Sequence, residues 1–208
     1  LNISGTQQRN MLKNGEEIPN WFSFKDVVTE LRKKYRPKKG VCVYFVGLSG
    51  SGKSTLANAL RQRLLESDIS QEITILDGDV VRQNLSKGLK FSREDRSTNV
   101  RRIGYVASEI VKHSGIVLCA NIAPYSDDRE YNRKLINKYG KYIEVFVNTP
   151  LEICEERDVK GLYSLARKGV IKEFTGISDP FEKPVNPEFK ILGDGAISET
   201  VNKILELM

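Results

Sequence analysis

The 208-residue sequence predicts an α/β protein in which a mostly parallel sheet lies between two layers of helices. Two observations predict this fold class: apolar runs of strand length recur along the chain, and segments of helical character separate them. Parallel strands buried on both faces are near-continuous apolar runs, and their crossover helices cover the sheet. The predicted strands are 41–46, 73–76, 115–121, 142–147 and a weaker one at 188–192.

Segments of helical character follow two of these strands, at 92–115 and 126–140. The second ends at Gly140, a residue type suited to the position just after a helix. Residues 157–187 contain glycines and prolines and show no sustained periodicity. Such a segment is typical of a mobile lid rather than of a sheet element, so we call it the lid segment.

The chain is long enough to bury one sizeable core, with 39% hydrophobic residues. We expect one main domain at 40–208, preceded by an N-terminal extension or linker at 1–39 with a short helix at about 24–34. The net charge is +6, but lysines and arginines are interspersed with 27 acidic residues. This distribution favours a solvated mixed surface over a nucleic-acid partner.

Three cysteines, Cys42, Cys119 and Cys154, are an odd number, and two of them lie in apolar runs. They indicate core residues in a reducing compartment without disulfides. No stretch approaches the roughly 18 apolar residues that span a bilayer, and the N-terminus lacks a signal-peptide pattern. We therefore expect a soluble cytoplasmic protein without a membrane partner.

A glycine-rich loop follows the first predicted strand and precedes a helix-like segment, as the P-loop pattern G-x-x-x-x-G-K-[ST] requires. Its glycines let backbone N–H groups point at phosphate oxygens, and the helix start adds its positive dipole end. Lys53 is predicted to reach the β- and γ-phosphates of ATP, and Ser54 to ligate Mg²⁺. A turn without function is the disfavoured alternative. The predicted ATP-binding residues are Gly47, Leu48, Ser49, Gly50, Ser51, Gly52, Lys53, Ser54 and Thr55.

Two carboxylates, Asp77 and Asp79, follow the strand at 73–76 directly. They would lie at the carboxyl end of a core strand, where parallel sheets bind ligands. A phosphotransferase needs a carboxylate there to bind the metal or to accept a proton. We assign Asp77 to the base or Mg²⁺ role; Asp79 has the alternative of capping the next helix.

Five arginines lie close behind these carboxylates. Arginine forks pair bidentately with sulfate and phosphate, so the cluster suits a doubly anionic acceptor. The alternative is that several of them solvate a helix surface. From these residues alone the acceptor of a P-loop kinase stays open. The arginines are Arg82, Arg93, Arg96, Arg101 and Arg102.

Six linked motifs across residues 41–192 closely resemble the adenosine 5′-phosphosulfate (APS) kinase family. The resemblance implies a P-loop kinase that phosphorylates the ribose 3′-hydroxyl of APS with ATP and Mg²⁺. Other small-molecule kinases of this fold share the first motif only. The motifs are GLSGSGKST, DGDVVR, FSREDRSTNVRRIG, NIAPYSDDR, RDVKGLY and FTGISDPFEKP.

The resemblance also implies roles for individual residues. Asp77 and Asp79 would lie beside the reacting hydroxyl and the metal, and Arg157 near the ATP base. Lys160 would neutralise phosphate charge when the lid closes. The implied catalytic residues are Lys53, Asp77, Asp79 and Lys160. The implied APS-binding residues are Asp79, Arg82, Phe91, Arg96, Asn99, Ile122, Ala123, Lys160, Leu162 and Phe174.

Phe91 and Phe174 resemble the two aromatic walls between which the family holds the APS adenine, since each face of a base is a stacking platform. Ordinary core phenylalanines are the alternative. The sequence departs from the family at Ala123, where many members have a serine discussed as a phosphoenzyme site. Alanine cannot carry phosphate, so we expect direct in-line transfer. Tyr105 replaces a frequent glutamate, a difference without a derived meaning.

Residues 3–23 resemble the C-terminal end of ATP sulfurylases. We hypothesise that the chain is the kinase end of a fused ATP sulfurylase–APS kinase, which implies a homodimer or a larger assembly through the sulfurylase. An N-terminal helical extension anchored by Trp21 and Phe22 is the alternative. Two functional alternatives also stay open: a kinase for another small hydroxyl acceptor, and a nucleotide-binding regulatory domain without turnover.

Overall fold

A computed structural model describes residues 2–35, 39–67, 69, 71–192 and 196–208. The chain divides into two compact units, Leu1–Lys38 and Lys39–Met208, a division one residue ahead of the boundary expected from the sequence. Each unit has a hydrophobic core of its own. Residues 36–38, at the end of the expected extension or linker, lie outside the described residues.

The larger unit is built on a five-stranded parallel sheet, as the apolar runs predict. The strand order is β2-β3-β1-β4-β5, and every pairing is parallel. The strands β1, β3 and β4 are buried along almost their whole length. The strand bounds are β1 Val41–Val46, β2 Ile73–Asp77, β3 Ile116–Ala120, β4 Lys141–Val147 and β5 Phe189–Ile191.

Helices connect the strands and cover both sheet faces, which confirms the three-layer α/β/α class. Successive residues of β1 point to opposite faces. Val43 and Phe45 pack in the cluster formed with α3 and α9, whereas Cys42 and Tyr44 pack in the cluster formed with α5 and α6. The helix bounds in this unit are α3 Lys53–Leu65, α4 Gly78–Asn84, α5 Arg93–Lys112, α6 Ser126–Ile136, α7 Leu151–Arg157, α8 Leu162–Arg167 and α9 Ile197–Glu206.

The strand order creates a crevice between the carboxyl ends of β1 and β3. From β1 the chain moves outward to β2, whereas from β3 it crosses to β4 on the other side of β1. Ligands of open parallel sheets bind where the connections diverge in this way. The glycine-rich loop leaves β1 at this crevice, and the loop after β3 begins beside it at Asn121.

Two expectations for helices need correction. The helix expected to end at Gly140 ends four residues earlier, at Ile136, and its last turn is closed by the Asn137 N–H on the Arg133 carbonyl. Gly140 serves packing instead: a Cβ there would approach the Gly40 carbonyl oxygen to 2.2 Å. The lid segment contributes no strand to the sheet, as expected, but includes the short helix α8.

The smaller unit contains two helices, α1 Gly5–Asn14 and α2 Lys25–Tyr35. The first was not predicted, although a capping box stabilises it: the Gln7 N–H donates to the Ser4 hydroxyl at 3.2 Å, and the Ser4 N–H donates to Gln7 Oε1 at 2.9 Å. Leu12, Ile18 and Val28 form the core of the unit, with Phe22 packed against them.

All three cysteines are free and buried. Among the described residues, no helix combines the length and the apolar character that a bilayer crossing requires.

Candidate active site

The loop between β1 and α3 has a backbone that only glycine adopts without strain at two positions. Gly50 and Gly52 have φ values of 73° and 103°. A Cβ at Gly50 would also approach the Cys154 carbonyl oxygen to 3.2 Å. Gly52 precedes α3, whose start has no side-chain cap among the described residues. The first N–H groups of α3 are therefore available for an anion.

Lys53 extends back over this loop. Its ammonium group donates to the Leu48 carbonyl at 2.6 Å and contacts the Ser51 hydroxyl at 3.3 Å, and only 8% of the residue is exposed. Burial lowers the pKa of Lys53 from 10.5 to about 8. Both partners are neutral, so an arriving phosphate would supply the counter-charge that this ammonium lacks.

The carboxylate of Asp77 joins the end of β2 to the start of α3. The Ser54 hydroxyl donates to Asp77 Oδ2 at 2.5 Å, and the Asp79 N–H donates to Asp77 Oδ1 at 3.0 Å. Asp77 is therefore the N-cap of α4. The alternative in which Asp79 caps this helix is wrong, because Asp79 lies in the first turn and its carboxylate is free of that role.

The lid segment contacts the glycine-rich loop and the carboxylate of Asp79. The Lys160 ammonium forms an ion pair with Asp79, and both side chains are about half exposed. The Arg157 guanidinium donates to the Gly50 carbonyl at 3.2 Å. The Tyr163 hydroxyl donates to the Ser49 carbonyl at 2.8 Å. Arg157 thus contacts the glycine-rich loop itself, whereas Lys160 contacts the carboxylate of Asp79 after β2.

Two of the predicted acceptor-binding arginines already have partners within the chain. Arg82 donates to the Lys90 carbonyl at 3.1 Å, and burial lowers the pKa of its guanidinium. Arg96 forms an ion pair with Asp179 at 2.9 Å and donates to the Thr175 hydroxyl at 2.6 Å. An anion bound by Arg96 would have to share it with Asp179 of the lid segment.

The remaining polar and apolar wall comes from α5 and the loop after β3. Asn99 is buried, and its Oδ1 has no hydrogen-bond partner among the described residues. An unpaired buried carbonyl is costly, so it indicates a donor from a ligand or a water. Ile122 and Ala123 are the neighbouring wall residues, and Ala123 adopts a φ of 42°.

One cavity of about 730 Å³ unites most of these residues. Its volume is in the range of small-molecule sites. Five predicted residues do not line it: Gly47, Leu48, Phe91, Leu162 and Phe174. The predicted residues that line it are Ser49, Gly50, Ser51, Gly52, Lys53, Ser54, Thr55, Asp77, Asp79, Arg82, Arg96, Asn99, Ile122, Ala123, Arg157 and Lys160.

Both predicted aromatic walls have intramolecular partners. Phe174 is buried and packs edge-to-face on Tyr163, with ring centroids 4.9 Å apart. Phe91 is 49% exposed and carries the Arg82 guanidinium 4.8 Å from its ring centroid. Phe91 is thus half exposed beside Arg82, and Phe174 has a packing role. The stacking of a base on them stays a prediction.

Residues 39–192, more than half of the chain, match the family model for adenylylsulphate kinase. The chain belongs to the adenylylsulphate (APS) kinase family. It is therefore an ATP-dependent kinase by family. Residues 1–34 match the ATP-sulfurylase family model.

Similar curated proteins include adenylyl-sulfate kinases and sulfate adenylyltransferases. The adenylyl-sulfate kinase of Gloeothece citriformis is 53% identical over 169 residues, which cover 81% of this chain and 93% of that protein. The sulfate adenylyltransferase of Aspergillus oryzae is 43% identical over 211 residues, which cover 100% of this chain. The chain spans 37% of the length of that second relative.

Solved structures of APS kinases are also similar to this chain. The APS kinase of Mycobacterium tuberculosis, in complex with AMPPNP and APS, superimposes with a TM-score of 0.77 at 40% identity and covers 82% of this chain and 98% of its own. A hexameric APS kinase from Thiobacillus denitrificans has a TM-score of 0.63 at 40% identity and covers 99% of this chain and 36% of its own.

An ATP-dependent kinase uses a divalent metal with its nucleotide, and the APS kinase cavity offers suitable oxygens. The Ser54 hydroxyl and the Asp77 carboxylate lie together at the crevice. Mg²⁺ prefers a few protein oxygens completed by phosphate and water, so this small set of hard ligands fits it.

Sequence reasoning missed several contacts that shape this APS kinase site. Tyr163 stands in the RDVKGLY motif, yet its bond to Ser49 depends on how the lid segment folds back. The Thr149 hydroxyl donates to the Ser51 carbonyl at 2.8 Å, across 98 residues of sequence. Asp179 pairs with Arg96. No local pattern encodes these contacts, because each joins segments far apart in the chain.

Proposed function

We propose that this chain transfers the γ-phosphate of ATP to the 3′-hydroxyl of APS, giving 3′-phosphoadenylyl sulfate (PAPS) and ADP. The observation that carries the proposal is the meeting of a complete phosphate loop and an arginine-lined acceptor wall in one cavity. Lys53, Ser54 and Asp77 line this cavity together with Arg82 and Arg96. We assign the first three residues to the phosphate donor and the two arginines to the acceptor.

The phosphate loop would bind ATP through the backbone N–H groups of 47–52 and the start of α3. Lys53 is held over the loop by the Leu48 carbonyl and would turn to the β- and γ-phosphate oxygens. Arg157 lies beside Gly50 and would contact the ATP base. Mg²⁺ bound by Ser54 and Asp77 would neutralise phosphate charge during the transfer.

On the acceptor side, Asp79 would orient the 3′-hydroxyl and accept its proton. Lys160 pairs with Asp79 and would move onto the transferring phosphate once the substrate separates the pair. Arg82, Arg96 and Asn99 would hold the phosphosulfate and the ribose. The adenine would be enclosed by Phe91 and Phe174, with Ile122, Ala123 and Leu162 beside the ring.

Transfer would be direct and in line. Ala123 occupies the position that would otherwise offer a serine hydroxyl, so the loop after β3 has no phosphate acceptor there. Phosphoryl transfer needs positioning and charge neutralisation more than covalent help from the protein. A phosphoenzyme would exchange labelled ADP into ATP without APS, so direct transfer predicts no such exchange.

A coupled assay of ADP production tests the proposed reaction. It is run with ATP, Mg²⁺ and APS, beside ATP alone and beside AMP, shikimate and gluconate as acceptors. We expect ADP formation with APS only. Equal turnover with another acceptor would contradict the assignment of APS, and nucleotide binding without any APS-dependent turnover would favour a regulatory domain.

We further propose that the N-terminal unit belongs to an ATP sulfurylase fused to this kinase. The match of residues 1–34 to the sulfurylase family and the full coverage of this chain by sulfate adenylyltransferases support it. An oligomer formed through the sulfurylase is part of this proposal, and the similar APS kinase of Thiobacillus denitrificans is hexameric. The test is to read the coding sequence upstream of this chain. A complete reading frame that encodes no sulfurylase-like region would contradict the fusion.

A further inference from the structure

The loop after β3 forms one wall of the cavity and contains a backbone conformation that is unfavourable for its residue. Ala123 has a φ of 42° and is 1% exposed. A non-glycine residue rarely adopts this left-handed region, and it stays there only when surrounding contacts hold it. Ile122 and Pro124 on either side of Ala123 also line the cavity.

The contact that holds Ala123 comes from α6. The Arg129 guanidinium donates through Nη1 to the Ala123 carbonyl at 2.8 Å, and Arg129 is 5% exposed. Its Nε forms an ion pair with Glu144 at 3.3 Å. A single buried guanidinium therefore connects the wall of the cavity to β4, which pairs directly with the strand that leads into the phosphate loop.

Glu144 is in turn fixed by further contacts. It is buried on β4, and its second oxygen forms an ion pair with Arg133 at 3.3 Å. Its backbone N–H donates to Glu188 at 2.7 Å, and Glu188 also pairs with Arg133. Arg129 and Arg133 thus share one buried carboxylate, but only Arg129 contacts the loop after β3.

The lid segment holds the next two residues of the same loop. The Glu182 N–H donates to the Pro124 carbonyl at 2.9 Å, and the Tyr125 hydroxyl donates to Asp179 at 2.9 Å. These contacts involve Pro124 and Tyr125, whereas the Ala123 carbonyl accepts its hydrogen bond from Arg129. Loss of the Arg129 contact would therefore release the strained residue while its neighbours stay tethered.

We propose that Arg129, paired with Glu144, is a positioning residue for the acceptor: it holds Ala123 in the left-handed conformation that gives the acceptor wall its shape. The inference rests on the proposed function, because it is the proposed function that makes the loop after β3 a part of the APS-binding site. Arg129 itself does not line the cavity, so it acts through the Ala123 carbonyl.

Arg129→Lys is the test variant, and Arg133→Lys is its matched control on the same helix with the same partner carboxylate. A lysine keeps the charge beside Glu144 but cannot serve two acceptors in the fixed geometry of a guanidinium. For Arg129→Lys we expect the Kd and KM for APS to rise about tenfold, with the KM for ATP unchanged. Arg133→Lys should lower the melting temperature without changing the APS constants.

A second variant separates the backbone conformation from the ion pair. Arg129→Lys should also lower the melting temperature, because it weakens the buried pair with Glu144. Glycine adopts a positive φ readily, so Ala123→Gly in this background should restore most of the APS affinity without restoring the melting temperature. Equal effects of Arg129→Lys and Arg133→Lys on APS, or no rescue by glycine, would overturn the inference. If the wild-type chain does not bind APS in the equilibrium titration that measures the Kd, the proposed function and this inference are overturned together.

Discussion

At the scale of single residues, Lys53 combines a buried ammonium group with two neutral hydrogen-bond partners. Burial disfavours its charged form, which is why its pKa falls to about 8. The protein therefore bears a desolvation cost that bound phosphate offsets. Such a residue contributes more to phosphate binding than to the stability of the free fold.

Lys53→Met removes this charge and keeps most of the side-chain volume. We expect APS-dependent turnover to fall by about a thousandfold or more, because the variant loses charge stabilisation of the transferring group. The melting temperature at pH 7 should stay the same or rise, since the variant removes a buried charge that has no ion-pair partner among the described residues. Steady-state kinetics and thermal unfolding measure the two effects. The exposed Lys134→Met is the control, and retained turnover in Lys53→Met would remove the phosphate-loop assignment.

The pKa of Lys53 also predicts a pH dependence of nucleotide binding. In the free protein the ammonium is protonated below pH 8 and loses its proton above it. Bound phosphates favour the protonated form, so ATP affinity should be constant below about pH 7 and fall by about tenfold per pH unit above pH 8. Equilibrium titration with Mg–ATP from pH 6.5 to 9.5 measures it. In Lys53→Met this fall should disappear; a wild-type affinity that is flat across the range would contradict the argument.

At the scale of elements, α8 connects the lid segment to the phosphate loop. The Asp158 carboxylate accepts from the N–H groups of Tyr163 and Ser164 at 3.0 Å each, which fixes the start of this helix. Tyr163 then packs on Phe174 and donates to the Ser49 carbonyl. The helix α8 thereby fixes the lid segment against the glycine-rich loop, which we propose to bind phosphate.

Tyr163→Phe removes the hydrogen bond to Ser49 and retains the ring packing on Phe174. We expect the Kd for Mg–ATP to rise about fivefold, the loss of one net hydrogen bond, with the Kd for APS in the absence of nucleotide unchanged. Calorimetric titration of each substrate measures it. Tyr131→Phe on α6 is the control, because the Tyr131 ring is 46% exposed and lies beside Arg101, away from the phosphate loop. Equal weakening by both variants would contradict the role of α8.

The central strands and the phosphate loop were predictable because their signals are local. An apolar run and a glycine pattern need only their own residues to specify β1 and the turn after it. The end of α6 was not predictable from Gly140. The helix ends at Ile136, whose carbonyl accepts hydrogen bonds from the N–H groups of Tyr139 and Gly140 in the turn that follows. The cap at Asp77 is local, because it joins residues two positions apart, and only its position was misassigned, to Asp79. The bond from Tyr163 depends on tertiary placement, and the strain at Ala123 depends on Arg129 from the next helix.

At the scale of the whole molecule, the chain has two units with separate hydrophobic cores. This predicts that the larger unit folds without the smaller one. The smaller unit has its core around Leu12, whereas the cavity residues belong to the larger unit. The relative from Gloeothece citriformis covers only 81% of this chain, yet 93% of that kinase is matched. Residues 39–208 contain the complete candidate site.

A chain of residues 39–208 should therefore fold cooperatively. We expect its kcat/KM for APS to stay within about threefold of the value for residues 1–208, which corresponds to less than about 1 kcal/mol. Thermal unfolding and steady-state kinetics of both chains measure this. Loss of cooperative unfolding in the shorter chain would contradict independent folding, and loss of turnover in a folded shorter chain would give the N-terminal unit a role in catalysis.

The most direct test of the central claim is to identify the product by phosphorus NMR after the protein has reacted with ATP, Mg²⁺ and APS. The account predicts one new phosphomonoester at the ribose 3′ position for each ADP formed, with the phosphosulfate intact. ADP accompanied by inorganic phosphate alone, or a phosphate at another position, would contradict the proposed kinase reaction.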